Sequence, residues 1–285
     1  MNPLESLLTE ISTTQRTEDD YLGEDGLLYC GKCHTPKQFR MDENSFFGNR
    51  PLPKPCRCEQ ERLDREKADT EHRRHLDRVE ELKRAGFTDP AMRGWTFAND
   101  NGLCPQMEHA KTYVEHFDEM EKQNIGCLLW GAVGTGKSYF AGCIANALME
   151  REVTVRMTNF AAILNDLNAA YDGRNEYIER LGRCRLLILD DFGMERGTEY
   201  GLEQIYNVVD SRYRSAKPLI VTTNLTLSQL KNPPDVAHAR IYDRVLEMCA
   251  PICFTGENQR RVRAAEKYRT LRRMISDKPE DSRQS

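Results

Sequence analysis

The stretch "LLWGAVGTGKSYF", Leu128 to Phe140, decides the architecture of this chain. Its Gly131, Gly136, Lys137 and Ser138 fit G-x-x-x-x-G-K-[ST]. The motif follows an apolar run and opens a helical pattern, the context that separates a phosphate cradle from a chance glycine-rich turn. Gly131, Gly134 and Gly136 let backbone N–H groups turn inward without Cβ clashes, so the loop Gly131, Ala132, Val133, Gly134, Thr135, Gly136, with Lys137, Ser138 and Tyr139, is the candidate nucleotide cradle. The helix start adds positive potential. Lys137 is placed to reach the β- and γ-phosphates, and the Ser138 hydroxyl to bind Mg²⁺.

Two further stretches complete the candidate site. "LLILDDFG" is a four-residue apolar strand, Leu186 to Leu189, ending in Asp190 and Asp191. Open α/β sheets bind ligands at that carboxyl end. Asp190 is expected to hold Mg²⁺ and Asp191 to orient or deprotonate the attacking water. Two adjacent carboxylates need a cation to neutralise them; the alternative is one Asp spent as a helix cap. "IVTTNL" is a buried strand ending in Asn224, an amide able to touch the γ-phosphate or the water, although Asn after a strand is also a common turn residue.

Outward from these motifs, strands and helices alternate. "IGCLLW", "VTVRMT", "RLLILDDF", "PLIVTTNL" and a short "PICFTG" read as strands. "KSYFAGCIANALMERE", "NFAAILNDLNAAY", "EYGLEQIYNVVDSRYRSA" and "AHARIYDRVLEMC" read as helices, the third with Leu202, Ile205, Val209 and Tyr213 on its apolar side. Such alternation implies an α/β fold with a parallel sheet covered on both faces. Residues 59–86 lack proline and carry few apolar side chains, which suits an exposed, charged linker helix held by side-chain pairs, or a solvated spacer. The chain is therefore read as an N-terminal module (1–58), a linker (59–86), a nucleotide-binding domain (87–270) and a disordered tail (271–285).

The N-terminal module holds "YCGKCHTP" and "PCRCEQ": a C-x₂-C and a C-x-C separated by 22 residues. Four thiolates, Cys30, Cys33, Cys56 and Cys58, suit structural Zn²⁺, whose binding would fold a segment with little core. Reduced free thiols, an iron–sulfur cluster or disulfides are the alternatives, and His34 could replace one ligand. The other six cysteines read as small core residues.

Whole-chain properties set bounds. The chain has 285 residues and a net charge of −4, which gives no global signal for nucleic acid or membranes. Basic groups are instead local, in "RNEYIERLGRCR" from Arg174 and "NQRRVRAAEKYRTLRR" from Asn258. No apolar run approaches the ~20 residues that span a bilayer. The start lacks a secretory pattern, and a reducing cytoplasm is expected.

The order of phosphate loop, Asp-Asp strand, Thr-Asn strand and the arginine-bearing helix "RIYDRVLEMC" before "FTG" resembles the AAA+ P-loop NTPases. More closely it resembles the DnaC/IstB-like group of helicase loaders and transposition helpers, over about residues 87–262. The Asp-Asp pair departs from the commoner Asp-Glu, which implies slow hydrolysis or a need for rearrangement. The resemblance implies an ATPase that loads a DnaB-type replicative helicase onto single-stranded DNA as a spiral self-oligomer, hexameric with the helicase. It also admits an IstB-like transposition helper, or an adaptor that binds ATP with little hydrolysis. It implies an arginine finger supplied to a neighbouring subunit by Arg244, with Arg240 second, from an exposed guanidinium pair; either could instead be a surface salt-bridge residue. Arg260 falls where the family places a phosphate-sensing arginine. Thr198, Tyr200 and Tyr171, with Arg174 and Arg180, are the implied single-stranded DNA contacts, with core packing the alternative for a tyrosine, and Phe97 is an adenine contact or a core aromatic.

Overall fold

The computed structural model describes residues 16–41, 49–100, 102, 104–169, 173–193 and 198–276. The chain forms two compact units, Met1–Leu76 and Asp77–Ser285. The first is built on turns. Two antiparallel ribbons, β1 (Tyr21–Leu22) with β2 (Leu28–Tyr29) and β3 (Gln38–Arg40) with β4 (Pro51–Pro53), supply little apolar core. A buried ion pair ties them: Lys37 Nζ lies 2.7 Å from the Asp20 carboxylate, which also accepts the Thr17 N–H. These bonds hold the Asp20 carboxyl well below the usual carboxylate range.

The charged stretch before the nucleotide-binding unit is helical: α1 spans Arg57–Gly86. Its side chains are almost all exposed, and Arg62 bridges Glu59 and Glu66 at 2.7 and 2.5 Å on neighbouring turns. Such pairs each contribute a few tenths of a kcal/mol, so they sustain the helix without a core. Near its end Leu82 and Gly86 are buried against the second unit's own core.

The second unit is a five-stranded parallel sheet of order β6-β7-β8-β5-β9. The strands are β5 (Gly126–Gly131), β6 (Val155–Asn159), β7 (Leu186–Phe192), β8 (Leu219–Thr223) and β9 (Cys249–Phe254). Their near-continuous apolar runs are those of strands buried on both faces. One face carries a core built on Phe140, Ile144 and Leu148, the other a core built on Ile163, Val208 and Val245. The first sits under helices α2 (Met107–Glu115), α3 (Phe117–Lys122) and α4 (Lys137–Glu150). The second sits under α5 (Phe160–Ala169), α6 (Arg174–Arg183), α7 (Glu199–Arg214) and α9 (Val236–Met248), with the short α8 (Leu227–Lys231) beside it.

Four differences from the sequence reading have local causes. Helices α2, α3 and α6 interrupt or precede the simple alternation; α6 buries Tyr177 and Leu181, one turn apart. On α7 the buried stripe is Ile205, Val208, Val209 and Arg212, which leaves Tyr213 at the exposed margin instead of on the apolar side. The last helix, α10 (Gln259–Ser276), includes residues 271–276 that were expected to begin a loose tail; 277–285 lie outside the described residues. Of the six cysteines read as core, Cys127, Cys143 and Cys249 are buried, Cys104 and Cys184 are half-buried, and Cys253 is exposed on an edge strand.

Candidate nucleotide site and cysteine cluster

The chain leaves β5 at the sheet's switch point, where α4 and β9 pass to opposite sides of the strand order, and this opens a crevice at the carboxyl ends. The phosphate loop fills it. Gly131, Gly134 and Gly136 adopt φ of 142°, 81° and 102°, so an L side chain at any of them would strain the cradle. Lys137 opens α4 and is buried, with Nζ donating to the carbonyls of Gly131 and Ala132, both at 2.8 Å, and to Asn224 Oδ1 at 2.9 Å. The ammonium is thus satisfied by the loop itself and by the amide after β8. Burial lowers its pKa, with the Asp191 and Asp190 charges acting in the opposite sense.

The acid pair sits on a bulge. Register between β7 and β8 shifts between Leu189 and Phe192, and Asp191 takes a left-handed φ of 55°. A non-glycine residue pays roughly 1–2 kcal/mol for that conformation, which turns successive carboxylates to different surroundings. Asp190 is buried; Asp191 is exposed. Thr222 joins them. Its hydroxyl donates to Asp190 Oδ1 at 2.5 Å and accepts the Asp191 N–H at 3.0 Å. Burial raises the Asp190 pKa; hydrogen bonds from Thr222 and then Ser138 oppose the rise. Ser138 and Asp190 therefore face one another as the pair that would hold Mg²⁺. Thr222 escaped the sequence reading, although a buried Thr-Thr ending an apolar strand was the available signal.

Arg260 lies close enough that its charge lowers the Lys137 pKa. Asn258 Oδ1 accepts the Arg260 N–H at 3.0 Å, and the Gln259 N–H bonds to the Gly134 carbonyl at 2.9 Å. The start of α10 is thus pinned to the phosphate loop.

The arginine pair differs from the expected exposed set. Arg240 is exposed. Arg244 is clamped within the chain: Nη2 lies 2.8 Å from the Asp210 carboxylate and 3.0 Å from Tyr206 Oη, and the guanidinium packs 4.7 Å from the Tyr206 ring centre. Its Asp210, Tyr206 and Tyr213 neighbours all belong to α7, so the helix face shared by Arg240 and Arg244 did not reveal them.

The other expected contacts separate. Thr198 is spent as the N-cap of α7, its hydroxyl accepting the Gly201 N–H at 3.1 Å, so a phosphate would have to compete for it. Tyr200 is exposed, with Arg174 6.0 Å from its ring centre and its hydroxyl 3.4 Å from Asn168 Oδ1. Arg180 lies instead over the buried Tyr177. Tyr171 lies outside the described residues. Tyr139 bonds the Thr96 carbonyl at 2.9 Å, and Phe97 packs against the core.

In the first unit the Sγ atoms of Cys30, Cys33, Cys56 and Cys58 all lie within 4.8 Å of one another. Cys30–Cys58 and Cys56–Cys58 separations are 3.6 and 3.4 Å, against the ~3.8 Å edge of a tetrahedron with ~2.3 Å Zn–S bonds. Gly31 is required in this turn, because a Cβ there would meet the Asp19 carbonyl at 2.1 Å. His34 turns to the Tyr21 hydroxyl at 3.2 Å and stands outside the thiol group.

A switch-point crevice with a phosphate loop, a strand-end acid pair and an amide on the next strand defines a P-loop NTPase fold of the AAA+ class. The chain belongs to the IstB-like ATP binding protein family, which matches residues 59–267. It is 24% identical over 207 residues to the replicative helicase loader DnaI of Bacillus subtilis (strain 168), covering 66% of each chain. It is 28% identical over 149 residues to the replicative helicase loader DnaC of Escherichia coli (strain K12), covering 50% of this chain and 58% of that one. The crystal structure of DnaI matches with a TM-score of 0.51 and 22% identity over 62% of this chain and 98% of that chain, a likeness of fold. The chain spans from about half to two thirds of the length of the curated relatives it matches. Among the described residues no helix is long and apolar enough to cross a membrane.

Proposed function

We propose that this chain is an ATPase that loads a DnaB-type replicative helicase onto single-stranded DNA. The observation that carries the reading is the Lys137 ammonium held between the loop carbonyls and Asn224, opposite the acid pair. A triphosphate would compete for that ammonium and release Asn224, so occupancy of the loop becomes a change on β8. Ser138 and Asp190 would hold Mg²⁺, which would neutralise phosphate charge. Asp191, lifted on its bulge, would orient or deprotonate the attacking water. Its side chain is one methylene shorter than Glu, so turnover would be slow until a partner closes the site. Arg240, exposed on α9, is the first choice for a finger reaching a neighbouring subunit's γ-phosphate; Arg244 supports it by donating to the Arg240 carbonyl at 3.1 Å. In this reading a spiral oligomer forms with ATP, the Tyr200–Arg174 pair meets single-stranded DNA, and the four-cysteine unit, holding Zn²⁺, grips the helicase. The names of the DnaI and DnaC relatives support this assignment.

The family's own name favours a second reading, a helper ATPase for transposition that binds duplex DNA and a transposase. An adaptor with little hydrolysis is the third. Phosphate release with and without single-stranded DNA, and capture of a purified DnaB-type helicase in ATP, separate them. Stimulated turnover with capture supports the loader. Turnover on duplex DNA without capture supports the transposition helper. Equal rates for wild type and Lys137→Ala would remove hydrolysis altogether.

A further inference from the structure

The nucleotide site uses only the root of α10. The rest of that helix, "QRRVRAAEKYRTLRRMIS" from Gln259 to Ser276, holds six arginines and one lysine against one glutamate, a charge of +6. The whole chain carries −4, so the remainder carries −10 (−4 minus 6). Every side chain from Arg263 to Ile275 is exposed. A concentration of arginine set on an acidic chain is a surface for an anionic partner. Lysine would supply the charge alone. Arginine adds a planar fork that matches phosphate and a flat face that stacks on rings.

We propose that α10 binds the backbone and bases of a single-stranded nucleic acid. Three features choose this occupant. First, the charge runs round the helix. Arg263 and Lys267 share one side, Arg269 and Arg273 another, and Arg261 and Arg272 a third, by the ~100° turn per residue of an α-helix. A helix lying on an anionic bilayer confines its charge to one face. Second, Tyr268, Leu271 and Ile275 follow one another at helical spacing and are 62, 53 and 63% exposed. Unpaired bases present ring faces to such a stripe, whereas a duplex hides them. The Arg272 guanidinium already lies 5.8 Å from the Tyr268 ring centre, so cation and ring are offered together. Third, the helix is rooted on the phosphate loop. Gln259 bonds Gly134, Asn258 caps the first turn, and a Cβ on Gly134 would sit 2.2 Å from Asn258 Oδ1. A strand held along the ~27 Å of this helix would therefore be linked to the state of the loop, and the linkage acts in both directions.

The test uses the full chain without helicase, so its outcome is independent of the loader assignment. Wild type, the triple variant Arg269→Ala/Arg272→Ala/Arg273→Ala, the matching triple Arg→Lys variant and Tyr268→Ala are titrated against a fluorescein-labelled oligothymidylate over a salt series. Loss of three phosphate contacts should flatten the slope of log K against log salt by about two, at ~0.7 per contact, and lower low-salt affinity at least about tenfold. The Arg→Lys triple should keep the slope. Tyr268→Ala should weaken binding without changing it. Mg–ATP binding should be unaltered throughout, because Arg260 is untouched. Unchanged titrations for the triple Ala variant and Tyr268→Ala would overturn the proposal. So would an intact titration accompanied by lost binding to phosphatidylserine vesicles, or by a changed oligomeric mass.

Discussion

Thr222→Val isolates the hydroxyl that joins the acid pair. Valine matches the shape of threonine, and the site is fully buried, so the change removes one donor and one acceptor with little repacking. The Asp190 carboxylate loses its 2.5 Å bond and keeps Ser138. A hydrogen bond to a charged group contributes about 1.5–3 kcal/mol. Burial has already raised the Asp190 pKa, and the lost bond favoured the ionised form, so the variant's pKa rises further. Mg²⁺ needs the ionised carboxylate. Binding of an ATP analogue with Mg²⁺ therefore falls as pH drops through the raised pKa, and in Thr222→Val it falls at a higher pH than in wild type. The Asp191 N–H also loses its acceptor, which relaxes the left-handed bulge. Isothermal titration over the weakly acid range reads both affinity and its pH limb. Wild-type affinity with an unmoved acid limb in Thr222→Val would refute the bridge.

Further predictions concern separate parts of the molecule. Arg212 is fully buried and donates to the carbonyls of Pro218, Cys184 and Arg185, so Arg212→Met should destabilise by about 3–5 kcal/mol in urea unfolding while shape is nearly kept. Cys30→Ser should lose the zinc proposed for the four thiolates, measured by a chromogenic chelator against wild type, and impair helicase capture with ATP binding intact. Arg240→Ala should keep ATP binding and lose stimulated turnover, read as phosphate release. Arg244→Ala should instead lower the melting temperature, because among the described residues Asp210 is left with the Arg214 ion pair at 2.9 Å and the Tyr206 face is uncovered.

The strands and the phosphate loop were legible because strands buried on both faces must be apolar throughout, as Leu186–Leu189 are, and because glycines mark left-handed backbone. The acid pair was legible in kind. Its division into a buried and an exposed carboxylate was not, since the bulge arises from pairing with β8. Arg212 left a trace in sequence: it follows Ile205, Val208 and Val209 on the buried stripe, but charge argued against the core, and only the carbonyls of two distant turns explain its place. Arg244 left none, because its partners come from another helix. The four thiols were legible from spacing; the Asp20–Lys37 pair beside them needed the fold.

In the proposed cycle a triphosphate displaces Asn224 from Lys137. Titration calorimetry of Mg–ATP into the folded full chain tests this most directly. Saturable heat at one nucleotide per chain, abolished in Lys137→Ala and undiminished or strengthened in Asn224→Ala, where no amide competes for the ammonium, is the predicted result. No heat with well-folded wild-type protein would contradict it.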